Sequence, residues 1–298
     1  MSNAKVTATA PVKVKGRKKD TEFRRAFRQL RKNKVAMVGM IIIAVEIILA
    51  VLAPAIAPYD PNAIDLRNTF QAPSAQHWFG TDDVGRDLFS RVLCGASYSL
   101  SVGVLSMLFS VTLGLIVGSV AGYFGGQIDN IIMRVLDVIQ ALPGMLLLIV
   151  LSAMLGAGYV NTIIAMAVSG IAGNARMIRA QMLKERENEY IEACHSINCS
   201  GPRIVISHLL PNCMSPIIVS ATMGIGGLIT MGASMSFIGL GVQPPTPEWG
   251  ALLSGARQFI RQAPHMILFP GIAIAITVLA MNLLGDGLRD ALDPKLKH

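Results

Sequence analysis

Charge is the scarcest ingredient of this chain: only 15% of its 298 residues are Asp, Glu, Lys or Arg, while 52% are hydrophobic. A soluble domain carries about a quarter charged residues, so this composition excludes an ordinary water-facing surface and points to a membrane protein. Acidic residues are the scarcer sign, 18 against 26 basic ones, giving a net charge of +8. That excess does not mark a nucleic-acid partner, because 12 of the 26 lie within the first 34 residues, just ahead of a hydrophobic run. A basic tail in that position is a topology signal. Cysteine is too sparse and too unevenly spaced for a secreted disulfide framework: Cys94 stands alone, and Cys194, Cys199 and Cys213 cluster in one stretch. There is no Gly-Lys dipeptide and hence no phosphate-binding GxxxxGK[ST] loop, so the chain is not itself an ATPase. HExxH and GxSxG are missing as well.

Long apolar runs are what the chain does have. Residues 1–34 form a polar, basic tail that is not a cleavable signal peptide, because the run after it is long enough to span a bilayer. From Thr21 the tail can form a basic amphipathic helix with Phe23, Phe27 and Leu30 on one face. Six spans are predicted: Val35–Ala57 (within a 35–58 segment), Ala96–Tyr123, Ile131–Leu155 interrupted by Pro143-Gly144, Tyr159–Ala175, the Gly-rich Met214–Leu240, and His265–Leu284 carrying Pro270. A long polar excursion, 59–95, separates the first span from a core of 96–285, and a short tail, 286–298, follows.

The long polar stretch 176–212 interrupts the second half. Tyr190, Cys194 and Ile197 fall at i, i+4 and i+7 and so share one helix face. Asn198 is a left-handed helix stop, and Ser200 caps a second short helix with Pro202 in its first turn. Pro211 is predicted to end that helix. The reading is a helix, a hard elbow and a helix held between two spans. Such a bracket suits the transmission of motion from something docked beneath it.

Six spans put both termini on one side. The tails, Arg134 and the bracket with its flanks hold 21 basic residues; the opposite side holds Arg67, Arg86, Arg91, Arg257 and Arg261. Termini and bracket are therefore expected in the cytoplasm.

These residues resemble a known family. Glu192, Ala193, Cys194, Asn198, Leu209, Leu210 and Pro211 are similar to the cytoplasmic "EAA" loop of bacterial ABC importer permeases, with Asn198 where that pattern has Gly and Cys194 where it has Ala. FGTDDVGRDLFSRVL (79–93), QPPTPEWGALL (243–253) and NLLGDGLRDALDPKL (282–296) resemble the C-type permease subunit of the dipeptide/oligopeptide/nickel branch. The resemblance implies an all-α integral membrane protein with six transmembrane helices and the type I ABC importer permease fold. It also implies a homologous permease partner, two cytoplasmic ABC ATPases that bind ATP and Mg²⁺, and an extracytoplasmic solute-binding protein in the inner membrane of a bacterium. No cofactor is implied in this chain. The implied substrate is a di- or oligopeptide; nickel or a metal chelate and glutathione belong to the same branch. A membrane receptor or enzyme without transport is the rival class, and the polar bracket without a catalytic constellation speaks against it.

By that resemblance Glu192 helps seat the bracket in an ATPase cleft, and Asp82, Asp83, Arg86 and Asp87 form an outer-loop element beside the pathway. Read as residues alone, Thr81 or Asp82 starts a helix carrying Leu88, Val92 and Leu93, and no EF-hand spacing follows. Cys194 and His195 are adjacent and point about 100° apart on a helix, so they do not chelate together, and no metal site is assigned among them, Cys199, His208 and Cys213. Glu46, in the middle of the first span, is read as protonated or hydrogen-bonded to the partner subunit rather than as a substrate ligand. Pro143 and Pro270 each free a carbonyl within a span, and the glycines of the fifth span are read as subunit interface and pore wall.

Overall fold

The computed structural model describes residues 27–292. The expectations for Phe23 and for the last residues of the carboxyl tail lie outside them. Among the described residues, nine helices of eight residues or more follow in order: α1 (Lys34–Ile56), α2 (Leu88–Phe124), α3 (Gly126–Gln140), α4 (Gly144–Leu155), α5 (Tyr159–Arg186), α6 (Glu189–Ser196), α7 (Gly201–Phe237), α8 (Trp249–Ala256) and α9 (His265–Leu292). Among the described residues there is no strand, only an isolated bridge between Thr81 and Asp87. The fold is all-helical. α1, α2, α7 and α9 are each long and apolar enough to cross a membrane, and α3 with α4 make one further, broken candidate.

The central contact is between α2 and α5. A Cβ at Gly114, Gly118 or Gly122 would lie 2.8 Å from Asn174 Cβ, 2.5 Å from the Ala175 carbonyl oxygen or 2.6 Å from Met182 Cβ. Only hydrogen at these three positions lets the backbones come so close. In lipid, where apolar surface gains nothing by leaving its surroundings, such close packing is what holds helices together. Ser106 Oγ donates to the Ile163 carbonyl at 3.4 Å, and the Asn174 amide donates to Ser110 Oγ at 2.7 Å. Along these partners both sequences rise together, so α2 and α5 are parallel over 16 residues, about 24 Å.

Parallel neighbours require the chain between them to return, and α3–α4 makes that return. Asp129 lies against Arg179, Leu136 packs with Ala172 and Ala175, and Leu148 clusters with Ile163 and Met166, so the pair runs antiparallel to α5. The Asn161 amide ties its far end, donating to the Leu155 and Gly156 carbonyls at 2.7 and 3.1 Å. The interruption at Pro143-Gly144 is a break: α3 and α4 meet at 84°. Pro270 differs. α9 runs through it, because a proline this near a helix start forfeits at most one backbone bond.

α9 is antiparallel to both α1 and α7. Gly39 sits on Ala280, Gly287 on Ala36, and Gly285 on Met223. The start of α1 and the end of α9 are joined by an Asn33 amide to Asp290 Oδ2 hydrogen bond of 3.3 Å. Two boundaries differ from expectation. α2 begins at Leu88 rather than Ala96, because Asp87 caps it. α5 continues past Ala175 to Arg186, its basic second half making ion pairs along the way. Within α7, Gly224, Gly226 and Gly232 face Met107, Met281 and Val102 of this same chain, so these glycines serve internal packing; only Gly227 of this set meets open space.

Gly118→Leu is therefore expected to cost roughly 1–3 kcal/mol by overpacking, lowering the unfolding midpoint of the detergent-purified chain by several degrees. Gly227→Ala, with nothing within 4 Å of its added carbon, leaves the midpoint unchanged.

Candidate functional site

The bracket sits where α2 and α5 end and α7 begins. Asn198 adopts φ 57°, the left-handed elbow. Around it the amide of Cys199 donates to the Cys194 carbonyl at 3.0 Å and that of Asn198 to His195 at 2.9 Å. This is the paired Schellman pattern, which satisfies the last carbonyls of α6. Asn tolerates the conformation better than other non-glycine residues, which is why it can replace Gly here.

The face expected to join Tyr190, Cys194 and Ile197 does not turn inward as a whole. Ile191 and Cys194 are buried, whereas Tyr190 is partly exposed and Ile197 is 75% exposed. Ile197 sits at the C-cap, where the chain leaves helical geometry and the i+7 rule no longer holds. Ile191 and Cys194 join Ile178 and Met182 of α5 with Ile204, Leu209, Cys213 and Ile217 of α7 in one cluster, with Leu115 and Tyr123 of α2 packed against it. The bracket is thus fused to three helices.

Two further expectations are corrected. Ser200 stands at the N-cap of α7, but its hydroxyl makes no capping bond. Pro211 does not end the second helix. A π turn over Val205–Leu209, in which the Leu210 amide reaches the Val205 carbonyl, widens the helix just before the proline. The local i→i+5 pairing leaves room for a residue without an N–H, and α7 continues to Phe237. Leu209 is buried; Leu210 is partly buried and Pro211 exposed.

Polar contacts lock the bracket's base. Glu185 Oε2 accepts from the Tyr190 hydroxyl at 3.1 Å and from the Asn188 amide at 2.9 Å, and the Asn212 amide donates to the Tyr190 oxygen at 3.0 Å. Burial, with the Glu185 carboxylate adding to it, pushes the Tyr190 phenol up from its ordinary value, so it stays a neutral donor. Arg186 donates to the carbonyls of Gly122 and Tyr123 at 3.2 and 3.0 Å, a cation on the C-terminal end of α2. What remains outward is Glu192, Ala193, Ile197, Arg203 and Ile206, all exposed. Ile197 and Ile206 are thus left 75% and 66% exposed on an otherwise polar stretch.

The 59–95 excursion holds the opposite end of α2. The helix N-cap is Asp87, not Thr81 or Asp82: its Oδ2 accepts from the Ser90 amide at 2.8 Å, and its Oδ1 lies 2.9 Å from His77 Nδ1. Asp82 is buried and organises the loop instead, accepting from the Val84 and Arg86 amides at 3.0 and 2.9 Å and from Arg86 Nε at 2.6 Å. Asp83 is partly exposed, 3.8 Å from Arg86. Sequence reading missed Arg91 and Glu248. Arg91 is buried, donating to the Pro61 carbonyl at 2.8 Å with Asp82 at 3.6 Å. Glu248 caps α8, accepting from the Ala251 amide at 2.9 Å and from Ser99 at 3.2 Å. Beside it the Trp249 indole donates to the Val92 carbonyl at 2.9 Å, pinning the QPPTPEW segment to α2. An acidic residue beside a capped helix start was the available signal for Glu248. All four predicted outer residues come together, and they act on each other and on α2.

Glu46 accepts from Thr277 Oγ1 of α9 at 2.9 Å, a contact within this chain rather than with a partner.

The chain matches two family models: the binding-protein-dependent transport system inner membrane component over residues 114–298, and the N-terminal TM domain of oligopeptide transport permease C over 21–73. It is 46% identical to the dipeptide transport system permease protein DppC of Alkalihalophilus pseudofirmus, over 92% of this chain and 90% of that one. It is 47% identical to the glutathione transport system permease protein GsiD of Escherichia coli, over 93% and 92%. In fold it is similar to a chain of the inward-facing MetNI methionine ABC transporter, with TM-score 0.57 and 19% identity over 69% of this chain and 98% of that one. The chain belongs to the dipeptide/oligopeptide family of ABC transport permeases, multi-pass components of the inner membrane.

Proposed function

We propose that the chain forms one half of the translocation pore of an ATP-driven importer of di- or oligopeptides, beside a homologous permease. Two ATPase subunits, which hold ATP and Mg²⁺, dock on the bracket, and a solute-binding protein delivers substrate at the other end. The observation that carries this reading is a bracket with Ile197 and Ile206 exposed and an underside packed on α2, α5 and α7. A load applied there is passed to three helices at once. The parallel course of α2 and α5 supports reading α5 as a crossing in its own right, a sixth beside α1, α2, α3–α4, α7 and α9. The basic-residue bias supports a cytoplasmic bracket and cytoplasmic chain ends. Closure of the ATPases pushes on the bracket, and α7 and its neighbours tilt to open the pathway alternately to each side.

A glutathione importer is the second reading, supported by the 47% identity to permeases that carry that name. Glutathione is itself a tripeptide with a free amine and carboxylates, so the two cargoes share most of their chemistry. Calorimetry on the cognate binding protein separates them: the proposal expects dipeptides to be retained, and retention of glutathione alone would favour the second reading.

Ile197→Cys, in a Cys199→Ser background, is expected to react with a membrane-impermeant maleimide in inside-out vesicles and not in intact spheroplasts, and to cross-link to an ATPase subunit. Labelling from outside would reverse the orientation. Ile197→Asp is expected to weaken ATPase co-purification at least about tenfold, or ~1.4 kcal/mol.

The elbow has its own test. Asn198→Val forces a β-branched residue into the left-handed region at roughly 1–2 kcal/mol, and limited trypsin cleavage at the exposed Arg203 should accelerate accordingly. Asn198→Gly is expected to be cleaved no faster than the parent chain.

A further inference from the structure

α3 is half of the broken span, and what fastens it is unusual. Among the described residues, the only side-chain hydrogen bonds from α3 to another helix end on Arg176 and Arg179 of α5. Arg179 grips both oxygens of Asp129, Nε on Oδ1 and Nη2 on Oδ2 at 2.5 Å, and Asp129 is 7% exposed. One turn along, Arg176 Nη2 donates to Asp137 Oδ1 at 2.5 Å. Beside these pairs α3 has one apolar seam, where Leu136 with Ile132, Met133 and Ile139 packs on Val117, Ala172 and Ala175, while Ile128, Ile131, Val135 and Val138 face outward.

α5 carries two different loads on two faces. Ile178 and Met182 lie in the cluster beneath the bracket, while Arg176 and Arg179, three apart and so on one face, point to α3. Resting on the reading that the bracket receives the ATPases, we propose that the Asp129–Arg179 pair, with Arg176–Asp137 beside it, is the joint that passes bracket motion from α5 to the broken span α3–α4. An apolar contact slides as helices shift. A two-pronged guanidinium–carboxylate pair fixes both distance and angle, so α3 must follow α5. Asp129 and Arg179 are positioning residues in this account; they touch no substrate.

The test uses the complete importer in proteoliposomes: both permeases, both ATPases and the liganded binding protein, with ATP hydrolysis and uptake measured on one preparation. Asp129→Asn keeps the shape and removes the charge. It is expected to retain the ATPases and to hydrolyse ATP within about twofold of the parent, while uptake per ATP falls about tenfold, inside the roughly 5–150-fold span of ordinary coupling energies. The exchanged pair Asp129→Arg with Arg179→Asp is expected to restore at least half of the lost uptake. Arg176→Gln, at the more exposed pair, shifts uptake per ATP in the same direction by less, and serves should the buried variants fail to assemble. Unchanged uptake per ATP in Asp129→Asn, or in Arg176→Gln where only that variant assembles, would overturn the joint. So would a loss matched by equal loss of hydrolysis, or an exchanged pair that restores nothing. Cross-linking from Ile197→Cys distinguishes this failure from that of the underlying reading: if it persists while the Asp129→Asn phenotype is missing, only the joint falls.

Discussion

The close approach of α2 and α5 is the constraint on which the rest depends. Three glycines, one turn apart, let the two backbones touch over about 12 Å, and the contact is parallel. From that single fact the returning α3–α4 segment, its antiparallel seat on α5, and the position of the bracket all follow. Nothing bulky fits in the seam, so the two helices behave as one strut.

The strut is held at both ends by polar chemistry of opposite character. At the loop end, Asp87 caps α2 while Arg91 and Trp249 bind it to the 59–95 excursion and to the segment before α8. At the bracket end, Arg186 covers the terminal carbonyls of α2, and the Glu185–Tyr190–Asn212 chain ties α5 to α6 and α7. The buried polar groups outside the hydrocarbon are thus spent on fixing helix ends. In the middle of the bundle the same task falls to small residues, since unpaired polar groups there are costly.

Much of this was legible in the residues. Apolar run length gave the all-helical class and four of the expected spans, Pro143-Gly144 marked a real break, and Asn198 marked a real left-handed elbow. The misses share a cause: a local rule was overridden by a neighbour it could not see. The i, i+4, i+7 rule grouped Ile197 with Cys194 on one face, but the helix ends there and Ile191 is the residue buried beside Cys194. Pro211 reads as a stop until the preceding π turn makes room for it. The Gly114/Gly118/Gly122 stripe was visible as spacing, yet its partner on α5 was not, because a parallel contact joins residues some 60 positions apart. Asp129 and Arg179 were equally unreadable as a pair for that reason.

The central claim is that bracket, α5 and α2 move as one body. Spin labels at the exposed Ile197 and Phe124 would report it by pulsed electron resonance in the assembled importer, first without nucleotide and then trapped with it. The account predicts the same distance distribution in both states, even as the bracket moves relative to α1. A distribution that shifts with nucleotide would show the bracket swinging free of the strut, and would contradict the account.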